Sequence, residues 1–229
     1  MNKHQLDRLL RSDQAVKFQT SLLKTMMPID KIKNKRNPDA SISEWFSRLN
    51  TRVETKLQEW LELFNVEPAC KPECPYCCYQ PILVNQFEAK AILGYLSENN
   101  KLDEVMNSLK AWKGQVSYEA LKTPNVNNEQ EIYRLKEYWF QAKLPCPLLK
   151  NNKCVAYPVR PSSCITYLTF GQMNECQITF DVPLSVRYEG IESWIAYQVS
   201  FYISRNSNIL NANEMAQTDL LANFLIYQL

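Results

Sequence analysis

Hydrophobic positions recur along most of this chain at steps of three and four, the spacing that stacks side chains on one face of an α-helix. The clearest run is Trp45, Leu49, Val53, Leu57, Trp60, Leu61 and Phe64, with Ser43 placed to cap its start. It predicts an amphipathic helix of about five turns. Residues 3–26 carry a looser stripe, Leu6, Leu9, Leu10, Val16, Phe18, Leu22 and Leu23, interrupted at Ser12 and Asp13. Pro28 and Pro38 then bracket a basic run, Lys31, Lys33, Lys35 and Arg36, which reads as a solvated linker. Asn85 and Glu88 have the spacing of a capping box, and Phe87, Ala91, Ile92, Tyr95 and Leu96 continue one helical face behind it.

Further helical patterns cover Leu102–Leu121, Glu129–Gln141, Ile191–Ser204 and the tail from Asn213, with a turn at Thr123–Asn128. Between Cys164 and Phe180 apolar residues are mixed with few charges, and short strands are expected there. The pattern predicts a mainly α fold with few short strands. Residues 1–40 read as an N-terminal helix and basic linker, and residues 41–229 as a single α-helical domain containing the cysteines of 70–176.

Composition changes this picture in two places. Glycine occurs only four times in 229 residues, while tyrosine and tryptophan number 12 and 5, which reads as helices joined by proline turns. The charges nearly cancel, with 26 basic and 24 acidic residues, and exert no strong pull toward nucleic acid or an anionic membrane. The first ten residues interleave charges with leucines, unlike the apolar stretch of a secretory signal. No segment approaches the roughly 18 apolar residues of a membrane span. The expectation is a soluble, cytoplasmic protein with no nucleic-acid and no membrane partner.

The eight cysteines fall into two groups: Cys70, Cys74, Cys77 and Cys78, then Cys146, Cys154, Cys164 and Cys176. The first reads Cys-x3-Cys-x2-Cys-Cys, and the prolines between its members hold turns that can converge several sulfurs. Thiolates are soft ligands suited to zinc, copper(I) or iron–sulfur clusters. A cytosolic setting and a chain of this length argue against disulfides. The single histidine, His4, is far from both groups, so ligation rests on sulfur, with a carboxylate such as Glu73 or Glu175 as a further donor. All-sulfur sites are closed structural zinc sites or cluster sites, which disfavours hydrolytic zinc chemistry. In an extended backbone Cys77 and Cys78 would point to opposite faces, leaving either two sites or one ligand and a spare thiol.

The second group reads Cys146-Pro-Leu, then Cys154-x2-Tyr157-x2-Arg160-Pro161-x2-Cys164. Together with the Cys-x3-Cys-x2-Cys-Cys motif, this pattern resembles the YkgJ-like cysteine-cluster family of zinc- or iron-chelating proteins, over residues 70 to 176. The resemblance implies a Cys-rich metal-binding lobe with Cys70, Cys74, Cys77, Cys78, Cys146, Cys154 and Cys164 as ligands and Cys176 as an eighth. Arg160 and Tyr157 would stand behind the ligands, offsetting thiolate charge. The implied cofactor is zinc or iron, including a [4Fe-4S] cluster, in a structural, redox or metal-sensing role. The segments outside 70–176 would then carry contacts to any protein partner.

Two other functions compete. Cys70-x3-Cys74-x2-Cys77 has the cysteine spacing of radical S-adenosylmethionine enzymes, and the family is similar to the cysteine-cluster region of flagellin lysine methylases. Against an enzyme of this kind stand Cys78, the second cysteine group and the lack of a repeated strand–helix pattern. A zinc-organised interaction scaffold is the other alternative.

Overall fold

The computed structural model describes residues 3–71, 74–172, 174–215 and 217–228. Helix α1 (Lys3–Leu10) and helix α2 (Asp13–Leu23) are separated where the leucine stripe breaks, and the Ser12 hydroxyl caps α2 by accepting from Ala15 N at 3.2 Å. Helix α3 (Pro38–Leu63) starts earlier than its apolar face suggests. Asn37 is its cap, and Pro38 occupies the first turn, where a missing N–H has no partner to lose. Ser43 is therefore an interior, buried helical residue rather than the cap.

Helix α4 (Gln86–Glu98) begins with the expected capping box, Asn85 Oδ1 accepting from Glu88 N at 2.9 Å and Glu88 Oε2 from Asn85 N at 3.1 Å. The pattern over 102–121 divides into α5 (Leu102–Lys113) and α6 (Tyr118–Leu121), because Gly114 ends the first and Ser117 caps the second. Helix α7 (Glu129–Gln141) matches its expected span. There follow α8 (Ser162–Thr166), α9 (Glu175–Ile178), α10 (Glu189–Arg205), α11 (Ala212–Met215) and α12 (Leu221–Ile226).

The strands are short and pair only in twos. They are β1 (Leu83–Asn85), β2 (Leu149–Lys150), β3 (Lys153–Cys154), β4 (Tyr167–Thr169), β5 (Ser185–Arg187) and β6 (Thr218–Leu220), in antiparallel pairs β1–β6, β2–β3 and β4–β5. Only β4 lies in the 164–180 segment where strands were expected, and β6 divides the expected terminal helix. No parallel sheet of the kind a barrel requires is formed among the described residues.

The core lies where α3, α4 and α10 meet. Trp45 of α3 stacks on Tyr202 of α10 with ring centroids 4.4 Å apart and meets the edge of Phe87 of α4 at 6.0 Å. Helices α3 and α4 approach closely at Gly94, where a Cβ would stand 2.2 Å from the Asp39 carbonyl oxygen. The basic segment is tied to this core: Met27 N donates to Gln198 Oε1 at 3.0 Å and Ile32 N to Asn206 Oδ1 at 2.9 Å, while the lysines face solvent.

A glycine-poor chain must find other residues for left-handed backbone positions. Asn65, Asn100 and Lys143 take them after α3, α4 and α7, with φ near 50°. Each helix closes with a Schellman bond, Val66 N to Leu61 O, Lys101 N to Leu96 O and Leu144 N to Trp139 O, at 3.0, 2.8 and 3.1 Å. No helix among the described residues is long and apolar enough to cross a membrane.

Candidate metal centre

Both cysteine groups sit on short elements and turns beside the helical body, and their backbones meet. After α3 the chain runs against β4, Ala69 N donating to Thr169 O at 2.7 Å, and Thr169 N in turn donates to Cys70 Sγ at 3.4 Å. A turn brings Cys74 N to Lys71 O at 3.1 Å. Tyr76–Tyr79 then forms a 3-10 turn containing Cys77 and Cys78, closed by Cys78 N to Pro75 O at 2.9 Å. The expectation that Cys77 and Cys78 diverge assumed extended backbone. In a 3-10 turn neighbours are about 120° apart rather than on opposite faces, and each of the two thiols shifts the ionisation of the other.

Cys146 N donates to Cys78 O at 2.6 Å, which joins the two distant cysteine stretches directly. Trp112 Nε1 fixes the approach by donating to Pro145 O at 2.9 Å. The hairpin β2–β3 carries Cys154 back toward Cys146, with Leu149 N on Cys146 O at 2.9 Å and Val155 N on Leu148 O at 3.0 Å. Its loop is Asn151–Asn152, with φ of 50° and 61°, the positive pair that a tight two-residue hairpin requires. A second 3-10 turn, Tyr157–Val159, packs against α3 and α4 and leads into α8, which holds Cys164. Helix α9 carries Cys176 and packs against the turn of Cys77 and Cys78.

Two buried side chains that pattern reading did not single out for the site hold this framework. Asn50 of α3 donates to Arg160 O at 2.8 Å and Pro158 O at 3.2 Å. Glu88, already the capping-box residue, uses its other oxygen to accept from Ser162 N at 2.9 Å and Ser162 Oγ at 2.7 Å, anchoring the start of α8. Burial pushes the Glu88 carboxyl up, against the donors of Ser162 and Asn85 that pull it down. The capping spacing is visible in sequence, but the reach of the second oxygen across the fold is not.

Arg160 lies beside Cys77, Cys154 and Cys164 and favours their ionised forms. Its guanidinium stacks on the Tyr157 ring with Cζ 3.9 Å from the centroid, and Nη2 pairs with Glu54 at 2.8 Å. Lys101 also stands near Cys154 and donates to Val155 O at 3.2 Å.

All eight cysteines are free thiols, Cys146 buried and the others partly so. Burial pushes Cys146 up to about 12 and Cys176 up to about 11, and raises Cys70, Cys154 and Cys164. Cys77 is the exception, drawn down to about 7 by the hydrogen bond from Cys78, whose own thiol is correspondingly raised. The donor set thus has the chemistry of a soft-metal site. Arg160 Nε and Ser163 Oγ are buried without hydrogen-bond partners among the described residues, consistent with surroundings built for negative sulfur. As they stand, no three cysteine, histidine, aspartate or glutamate side chains among the described residues are arranged to hold a metal ion. The sulfurs are neighbours without a shared centre. Rotation between staggered χ1 wells displaces a cysteine sulfur by about 3 Å.

Of the two carboxylates considered, Glu73 lies outside the described residues, and Glu175 stands beside Cys176 with Oε2 buried and without a hydrogen-bond partner among the described residues. His4 lies on α1. Compared with family models, curated proteins and solved structures, this chain has no significant match.

Proposed function

We propose that this protein is a metal-binding protein of the cysteine-cluster kind its sequence resembles, holding zinc or an iron–sulfur cluster through thiolates of both cysteine groups. The observation that carries the reading is the 2.6 Å hydrogen bond from Cys146 N to Cys78 O, which ties together two cysteine-bearing stretches of chain far apart in sequence. Support comes also from Arg160, whose fixed positive charge offsets part of the charge of about −2 that four thiolates and one zinc ion carry. The raised thiols fit the same reading, because a metal ion supplies the positive charge that burial withholds and displaces their protons. Closing such a site with zinc contributes about 10–16 kcal/mol at neutral pH, enough to order the turns around it. The role is structural, redox or metal-sensing, and helices outside 70–176 would carry any protein contact.

Metal and acid-labile sulfide analysis after anaerobic purification tests this. Stoichiometric zinc without colour, or iron with sulfide and a brown colour, is the expected outcome. Protein that retains neither metal, and takes up neither when zinc or ferrous iron with sulfide is added to the reduced chain, would overturn it.

A further inference from the structure

Asn50 and Glu54 stand one turn apart on the same face of α3, and both reach the turn that carries Arg160. We infer that this pair positions Arg160 for the cysteine region, Asn50 by fixing the main chain of the turn and Glu54 by fixing the guanidinium, so that ligation at the thiols depends on two residues of the helical body. The inference rests on the metal-binding reading and gives that site two positioning residues outside 70–176.

The main chain is held by one buried amide. Asn50 is only 3% exposed, and its side chain has two N–H donors on Nδ2. They go to Arg160 O at 2.8 Å and to Pro158 O at 3.2 Å, across 110 and 108 residues of sequence. Two carbonyls two residues apart are thereby anchored to a single side chain of the longest helix, which pins the turn closed by Val159 N on Ala156 O and Arg160 N on Tyr157 O against α3. A buried amide without such partners would be costly, so the site is specific for a donor of this shape.

The side chain is held separately. A surface arginine ordinarily keeps its head in water and lays its stem along apolar neighbours. The Arg160 side chain is only 15% exposed: Nη2 pairs with Glu54 Oε1 at 2.8 Å, and the guanidinium lies on the Tyr157 ring with Cζ 3.9 Å from the centroid. Its charge therefore stays beside the thiols. Coulomb attraction falls with distance and with access of water, so a guanidinium that swung out to solvent would lose most of its effect on a centre of thiolates. Glu54 both places this charge and opposes it, and the two roles predict opposite consequences of removing the carboxylate.

Cobalt(II) added anaerobically to the reduced full chain serves as the probe, its thiolate charge-transfer band reporting binding and competition with a chelator reporting affinity. Asn50→Ala and Arg160→Gln should each weaken cobalt binding by about 10–100-fold. Combined, they should weaken it no more than Arg160→Gln alone, because Asn50 acts through Arg160. In the metal-free chain, amide exchange at Val159 and Arg160 should quicken in Asn50→Ala. Glu54 is 43% exposed, so its variants test the pair without disturbing the core. Glu54→Gln, which keeps an acceptor for Nη2 without the charge, should bind cobalt at least as tightly as the unmodified chain, and Glu54→Ala less tightly. No weakening by Asn50→Ala, or equal weakening with and without Arg160→Gln, would overturn the role of Asn50. Tighter binding by Glu54→Ala would overturn that of Glu54, and either result leaves the metal-binding reading in place. An unmodified chain with no cobalt–thiolate band would overturn that reading and the inference with it.

Discussion

The helical body and the cysteine region are held together in different ways. In the body, α3, α4 and α10 bury Trp45, Phe46, Phe87, Trp194 and Tyr202 almost completely, and the rings of Trp45, Phe46, Phe87 and Tyr202 contact one another across all three helices. In the cysteine region the elements are two to five residues long and turns connect them, and seven of the eight thiols are only partly buried. Burial of large apolar side chains stabilises by roughly 1.5–3 kcal/mol each. Hydrogen bonds contribute about 0.5–1.5 kcal/mol apiece, and short strands outside a larger sheet are marginal. The body therefore has a source of order in its own side chains. The cysteine region depends on a few anchors from the body and, on the reading proposed above, on metal.

The largest effect that separates the two regions is expected from opposite substitutions. Trp45→Ala removes a fully buried indole, its hydrogen bond to Pro28 O at 3.2 Å and its contacts with Phe87 and Tyr202. It should lower unfolding free energy by about 3–5 kcal/mol in metal-free and metal-loaded protein alike. Cys154→Ser should change the metal-free value by less than about 1 kcal/mol, as a near-isosteric change of a partly buried side chain at the edge of the core does, and weaken only the loaded form. Urea unfolding of both variants with and without zinc measures this. Equal losses in the metal-free state would mean that the two regions form one cooperative unit held by the same forces.

A smaller effect is expected where the regions are joined. Glu88 is buried in α4 yet accepts from Ser162 N and Oγ at the entrance to the Cys164 helix, as well as from Asn85 N. Glu88→Ala leaves these donors without their acceptor and should lower stability by about 2–3 kcal/mol. It should also release the start of α8, so amide exchange at 162–166 should quicken more than in the centre of α3. Uniformly faster exchange would show that Glu88 acts only as a helix cap.

This difference also governed what could be read from the sequence. The apolar repeats at Trp45–Phe64 and Glu129–Gln141 are visible because burial on one helical face leaves a periodic record. The capping box at Asn85 and Glu88 is local and equally legible. The β1–β6 pairing was not, since Leu83 and Leu220 meet only after the whole chain has folded, and three-residue strands leave no alternation to detect. In the cysteine region the motif spacings identify the sulfurs, and the Asn151–Asn152 pair could have signalled the tight hairpin at Cys154. The 3-10 turn at Cys77 and Cys78, the Thr169 N–H on Cys70 and the reach of Asn50 to Arg160 depend on partners far away in sequence, and nothing local announces them.

The mildest test uses pH, because the two regions should weaken at opposite ends of the scale. Tyr188 and Tyr202 are buried in the body, and burial pushes each up to about 12. Below about pH 10 both are neutral in the folded and the unfolded chain. As pH rises from there toward 12 the unfolded chain releases these protons while the folded chain keeps them, so stability falls. Metal ligation runs the other way. Thiolates must lose protons to bind, so falling pH returns protons to sulfur and releases the ion while the aromatic core is untouched. Tryptophan fluorescence followed upward from pH 9, and cobalt–thiolate absorbance followed downward from pH 7, should therefore report separate transitions. If the fluorescence change accompanied loss of the thiolate bands on acidification, the aromatic body would be shown to depend on the metal, and the division of labour between the regions would not hold.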